Sequence, residues 1–234
     1  NLTGTTVTFN DVIVGAGNGL TVTGAAVFGN AGTDTVTGLT TLHVTGTSAI
    51  NTTTVSSTST QTYDSTVTLG TNVVLTATTV NSGLTVIGAG NDLTLTCSSP
   101  ISLTLGNITG VRNFSTDGGS TSTVGGTLTT TGTQGWVDAT IFNADTILVG
   151  TTVTFTSTAN GGTSNSLTVT GNAVFGGFVT GLTTLHVTGT SAINTTTVSG
   201  SSTQVYDGQV TLGASANLTG TTVTFNDVIV GAGN

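Results

Sequence analysis

The side chains best suited to proton transfer, metal binding or nucleophilic attack are few in this 234-residue sequence: two histidines, nine aspartates, one cysteine and one arginine. His43 and His186 sit in identical LHVTG contexts, as a repeated metal ligand would. They are 143 residues apart. On coils of about 20 residues, argued below, that is about seven coils or roughly 34 Å, whereas one ion needs its ligands within a few ångströms. Both histidines therefore read as outward-facing strand residues. Asp64 and Asp207 follow Tyr63 and Tyr206, and Asp138 stands two residues after Trp136. Carboxylates that share acid and base work lie within about 10 Å of each other. These recur with the repeat instead, and read as turn caps.

Other chemistries fare no better. The GAGND stretch at 88–92 and TDGG at 116–119 are fragments of the Gly/Asp turns that bind calcium in some solenoids, but the full GGxGxDxUx nonapeptide is missing. Calcium is the one ion these turns leave open, and no cofactor is expected. The glycines form neither GxGxxG before a helix nor GxxxxGK[ST], so no phosphate loop is read. No GxSxG elbow occurs, and Cys97, without a partner motif, reads as a small buried residue. No catalytic, cofactor-binding or metal-binding residue is assigned, and the chain is expected to be non-enzymatic. Thr-x-Thr triplets such as Thr21-Val22-Thr23 and Thr168-Val169-Thr170 are similar to those of flat ice-binding solenoids, but their spacing is irregular. The aromatic series Tyr63, Trp136 and Tyr206 would stack on sugars if outward and fill the core if inward. The inward placement is expected.

Composition sets the class. Only 4% of residues are charged, yet 35% are hydrophobic, so the chain has the apolar residues that disordered sequences lack. Thr, Ser, Asn, Gly, Val, Leu and Ile dominate, a mixture that favours strands and tight turns. A net charge of -8 with Arg112 as the one Lys or Arg argues against nucleic-acid partners and against anionic membranes. No run of about 18 apolar residues would insert into a bilayer. Asn1-Leu2, with no initiator Met, reads as a piece of something longer, with any export signal elsewhere. One site for trypsin suits a secreted, extracellular or cell-surface protein. Absence of Lys excludes Lys–Asn isopeptide cross-links.

Repetition decides the architecture. Residues 1–18, NLTGTTVTFNDVIVGAGN, recur unchanged at 217–234, and GLTTLHVTGTSAINTTTVS at 38–56 recurs at 181–199. Thr60-Gln61, Thr133-Gln134 and Thr203-Gln204 mark three units within the long period, approximately 60–132, 133–202 and 203–234 continuing as 1–59. The first of these holds Cys97, Pro100 and Arg112 and has drifted most. Inside each unit, stretches such as TTVTF, LTVTG and TVTLG alternate apolar and polar residues between Gly, Asn, Asp and Ser clusters. Strands of three to five residues are too short to stand alone, and stacking on copies of themselves would bury them.

The expected fold is all-β: one continuous β-solenoid over 1–234, a right-handed parallel β-helix of about 12 coils and roughly 55 to 60 Å. Tandem immunoglobulin-like sandwiches need about 100 residues each and are the main alternative, followed by other β-solenoids and trimeric fibres.

At TQTYDSTVTLGTNVVLTATTV, TQVYDGQVTLGASANLTGTTVTF and SLTVTGNAVFGG the chain resembles the β-strand repeats of giant bacterial surface proteins of the filamentous haemagglutinin-like type, over essentially its whole length. The resemblance implies export by a two-partner or autotransporter-like route, a right-handed β-helical shaft, and roles in adhesion, cell contact or matrix building. No functional residues carry over, since the shared positions are structural. The function expected is a structural rod or filament whose partner is itself, end to end or laterally. The alternative is an adhesin whose shaft binds cell-surface glycans or neighbouring cells. With no polar cap to protect its edges, the stretch reads as a window on a longer filament.

Overall fold

The structure, a computed structural model, describes residues 1–81 and 84–231. The last three residues of the 217–234 repeat copy therefore lie outside the described residues. The chain forms two compact units, Asn1–Ser120 and Thr121–Asn234. Each is a stack of parallel strands wound into about six coils, so the fold is a β-solenoid of about twelve turns, as expected. Among the described residues there is no α-helix, hence none long and apolar enough to cross a membrane.

In the first unit each coil has three sides. One side stacks strands Leu42–Val44, Thr60–Tyr63 and Thr79–Val80, with Leu42 paired to Gln61 and Thr60 to Thr79. A second stacks Ser48–Ile50, Val67–Leu69, Val86–Ile87 and Ile108–Thr109. The third stacks Thr35–Leu39, Thr54–Ser57, Val73–Ala77, Leu93–Cys97 and Phe114–Thr116. Strand Leu20–Phe28 turns a corner and serves the first two sides at once. Steps of 22 residues, Leu20 to Leu42, and 19 residues, Leu42 to Gln61, set the coil length.

The second unit repeats the plan with longer strands. Ala139–Phe155 and Ala159–Phe175 each run for 17 residues, against the three to five read from sequence. The ladder continues through the corners as register shifts, between Ile141 and Thr146 and between Val149 and Thr152, where a glycine such as Gly150 lets the backbone bend.

Alternation explains the burial. In Val73–Ala77 the inward Val73, Leu75 and Ala77 are buried and the residues between them half-buried, so every second residue joins a column down the axis. In the second unit Leu148, Val169, Val187 and Tyr206 form one such column and Phe155, Phe175 and Ile193 another. Phe155 and Phe175 stack at 5.9 Å and 7°, and Trp136 lies on Phe155 at 6.4 Å. Each fully buried side chain of this size contributes about 1.5–3 kcal/mol. Coil-on-coil burial is thus the main source of cohesion.

Candidate functional site

Tyr63, Trp136 and Tyr206 are all inside, at most 1% exposed. Each shares its strand with a buried glutamine two residues earlier, and this pairing recurs at all three positions. The Gln61 amide donates to the Val55 and Thr76 carbonyls, both at 2.9 Å. Gln134 donates to Leu128 at 3.3 Å and Val149 at 3.0 Å, and Gln204 to Val198 at 3.0 Å and Thr219 at 2.7 Å. In every case the acceptors are six residues before and fifteen after, on two stacked strands of neighbouring coils. One buried amide thus ties two rungs together. Tyr63 and Tyr206 then donate their hydroxyls to Gln61 and Gln204 Oε1 at 3.0 and 2.8 Å. Burial pushes both phenols well above the usual tyrosine range.

The histidines face outward, as read from sequence, but they are not alone. His43 Nε2 lies 2.8 Å from Asp64 Oδ2, and His186 Nε2 lies 2.7 Å from Asp207 Oδ2. Both pairs span 21 residues, one coil, and both are partly exposed. Asp207 also accepts the Asn226 amide at 2.8 Å, so three successive coils are stapled on the outside. The His186 ring and then the Asn226 amide hold the Asp207 carboxyl below its ordinary range. Asp64 and Asp207 are thus inter-coil partners in addition to following the tyrosines.

Asp138 departs from its relatives. It is 1% exposed and accepts the Ser122 hydroxyl at 2.8 Å. The GAGND turn uses Ala89 and Gly90 at positive φ, 50° and 82°, and its Asp92 takes both arms of the Arg112 guanidinium at 2.8 Å. Asn113 adds two more bonds to Asp92 Oδ1. Chiefly through the Arg112 hydrogen bonds, the Asp92 carboxyl sits below its ordinary range. Asp117, of the TDGG turn, is exposed and accepts the buried Cys97 N–H at 3.3 Å. Among the described residues no three His, Cys, Asp or Glu side chains cluster as metal ligands. Thr21 and Thr168 pair with His43 and His186 on the next coil, so histidine interrupts their threonine ranks.

What these groups do chemically is hold coils together: amides inside, carboxylate pairs outside. In the sequence the Thr-Gln pairs mark the repeat units, and the role of the glutamine itself is not apparent from them. The signal was present in the equal spacing to Val55, Leu128 and Val198. No protein-family model matches the chain, and neither a curated protein nor a solved structure does.

Proposed function

We propose that the chain is a non-enzymatic structural element, a β-solenoid shaft that stacks with copies of itself into a rod or filament. The carrying observation is the glutamine tie, repeated at Gln61, Gln134 and Gln204 with unchanged offsets. Buried polar side chains are as a rule hydrogen-bonded; these spend their bonds on joining rungs. Placement on a bacterial cell surface or in an extracellular matrix rests on the resemblance to large exoprotein repeats and on the near absence of trypsin sites. The adhesin reading expects outward aromatics for sugar stacking, and burial of Tyr63, Trp136 and Tyr206 removes its sequence motivation.

Electron micrographs of the concentrated, purified chain test the proposal. Elongated rods or filaments are the expected result. Isolated globular particles at every concentration would overturn it.

A further inference from the structure

Among the described residues Phe178 is the one exposed aromatic side chain, 51% open to solvent, while the others are buried or half-buried. A lone exposed apolar residue is ordinary, but this one is held in place beside a groove. The Ala159 N–H donates to the Phe178 carbonyl at 2.8 Å, the Gly176 N–H donates to the Phe155 carbonyl at 2.7 Å, and Val179, the next residue, is fully buried. Gly177 lies so close to the preceding coil that a Cβ would stand 2.2 Å from the Ser157 carbonyl, an approach that only glycine permits. No side chain therefore stands at 176 or 177, and the ring borders a groove of about 300 Å³ walled by Thr156, Ser157, Thr158 and Thr195.

The first unit closes the same corner. Residues 38–56 are identical to 181–199, and Phe28-Gly29 answers to Phe175-Gly176, but residues 30–35 run between Gly29 and Val36 where Gly177 and Phe178 alone join Gly176 to Val179. That loop folds over the corner. The Asn30 and Ala31 N–H groups donate to the Asp34 carboxylate at 2.9 and 3.0 Å, and the Thr52 hydroxyl donates to the Asp34 carbonyl. Thr195 is the copy of Thr52 and nearly as deeply set, 4% exposed. With the loop gone its hydroxyl has no such acceptor, and among the described residues it makes no hydrogen bond. A buried hydroxyl left unpaired is destabilising, and this residue opens on the groove.

No charged side chain lines the groove, so an anion or a metal ion would find no counter-charge there. It offers an aromatic face at one side and, at the other, hydroxyls that both donate and accept. A neutral pyranose has the same division, with C–H groups on its faces and hydroxyls around its edge, and the electron-rich face of an aromatic ring attracts such C–H groups. We propose that the groove binds one neutral sugar unit of a glycan, its ring stacked on Phe178 and its hydroxyls bonded to Thr195 at the floor and to Ser157 and Thr158 on the wall. The volume is at the small end of ligand sites, about 300 Å³ and upward, which suits one ring. The site goes beyond the shaft reading and does not depend on it, since a shaft stands with or without a sugar at this corner.

Saturation-transfer NMR on the full chain tests this, with the methyl glycosides of glucose, galactose, mannose and N-acetylglucosamine as probes. Transfer to at least one of them is expected, and Phe178→Ala is expected to weaken that binding by about tenfold with the unfolding temperature unchanged, because the side chain is exposed. Thr195→Val, which removes an unpaired hydroxyl at constant shape, is expected to weaken binding without loss of stability. Thr52→Val removes a hydroxyl that is already bonded, so it is expected to lower stability and leave the affinity as it was. No transfer to any of the four glycosides would overturn the site, as would an affinity that either Phe178→Ala or Thr195→Val leaves unchanged, or one that Thr52→Val lowers equally. A sedimentation coefficient that falls on Phe178→Ala would give the ring to a second copy of the chain and overturn the sugar site as well.

Discussion

The Tyr206 hydroxyl donates to Gln204 Oε1 at 2.8 Å, two residues away on the inward side of one strand, while the Gln204 amide bridges carbonyls of two coils. Leucine at 204 would leave two main-chain carbonyls and a phenol without these partners in a dry interior. Each buried group so stranded costs about 1–3 kcal/mol, so Gln204→Leu is expected to lower stability by about 3 kcal/mol in urea unfolding. Gln134→Leu is expected to cost about 1 kcal/mol less. Trp136 has no hydroxyl to give, and Gln134 Oε1 has no hydrogen-bond partner among the described residues. Equal losses would contradict the ladder as described.

Alkaline titration reads the same columns. Tyr63 and Tyr206 are the only tyrosines, and burial raises both phenols well above their ordinary value of 10.0. A raised pKa contributes stability that is fully present below the unfolded value and is lost as pH climbs above it toward the folded one. Native protein at pH about 11 is therefore expected to show almost no phenolate absorbance, and unfolding at that pH to release both together. Smooth titration near pH 10 in folded protein would place the rings in solvent.

The outer staple has the opposite sign. Asp207 is held below its ordinary 3.8 by His186 and Asn226, so its contribution is present above that value and is lost as pH falls through the lowered one. The stability difference between the parent chain and Asp207→Asn is expected to be small but measurable near pH 5 and to shrink as the pH falls below 3.8. A difference that grows on acidification would be wrong in sign.

Ser48 and Ser191 occupy equivalent buried places between Ala26 and Val67 and between Ala173 and Val210. Their hydroxyls have no hydrogen-bond partner among the described residues. Alanine at either position is expected to be neutral or to stabilise by up to about 1 kcal/mol, since an unsatisfied buried hydroxyl is removed at little loss of volume. Loss of more than about 1 kcal/mol on thermal unfolding would mean that the hydroxyl has a role.

Much of the fold was legible because repetition reports coil length directly. The nested repeat, the strand alternation and the inward aromatics at Tyr63, Trp136 and Tyr206 could all be read from residue types and spacing. The His43–Asp64 and His186–Asp207 pairs were missed because a partner one coil away is invisible until the coil length is known to the residue. Their common 21-residue spacing was nevertheless in the sequence. Asp138 stands in the bend between Thr133–Trp136 and Ala139–Phe155, where a turn cap was expected, but it is buried there on Ser122, which spacing alone does not reveal. Face assignment is the least legible property. Phe9 lies on Phe28, in the column of Ile50 and Leu69, while its identical copy Phe225 lies on the Gln-Tyr strand. The same fifteen residues alternate well enough to serve either position, so the neighbouring coil decides.

Diffraction from flow-aligned filaments of the purified chain tests the central claim most directly, that parallel coils stacked along one axis build a shaft. Strands perpendicular to that axis should give a meridional reflection near 4.8 Å. Filaments whose strand-spacing reflection lies on the equator, or a chain that yields no filaments at all, would contradict it.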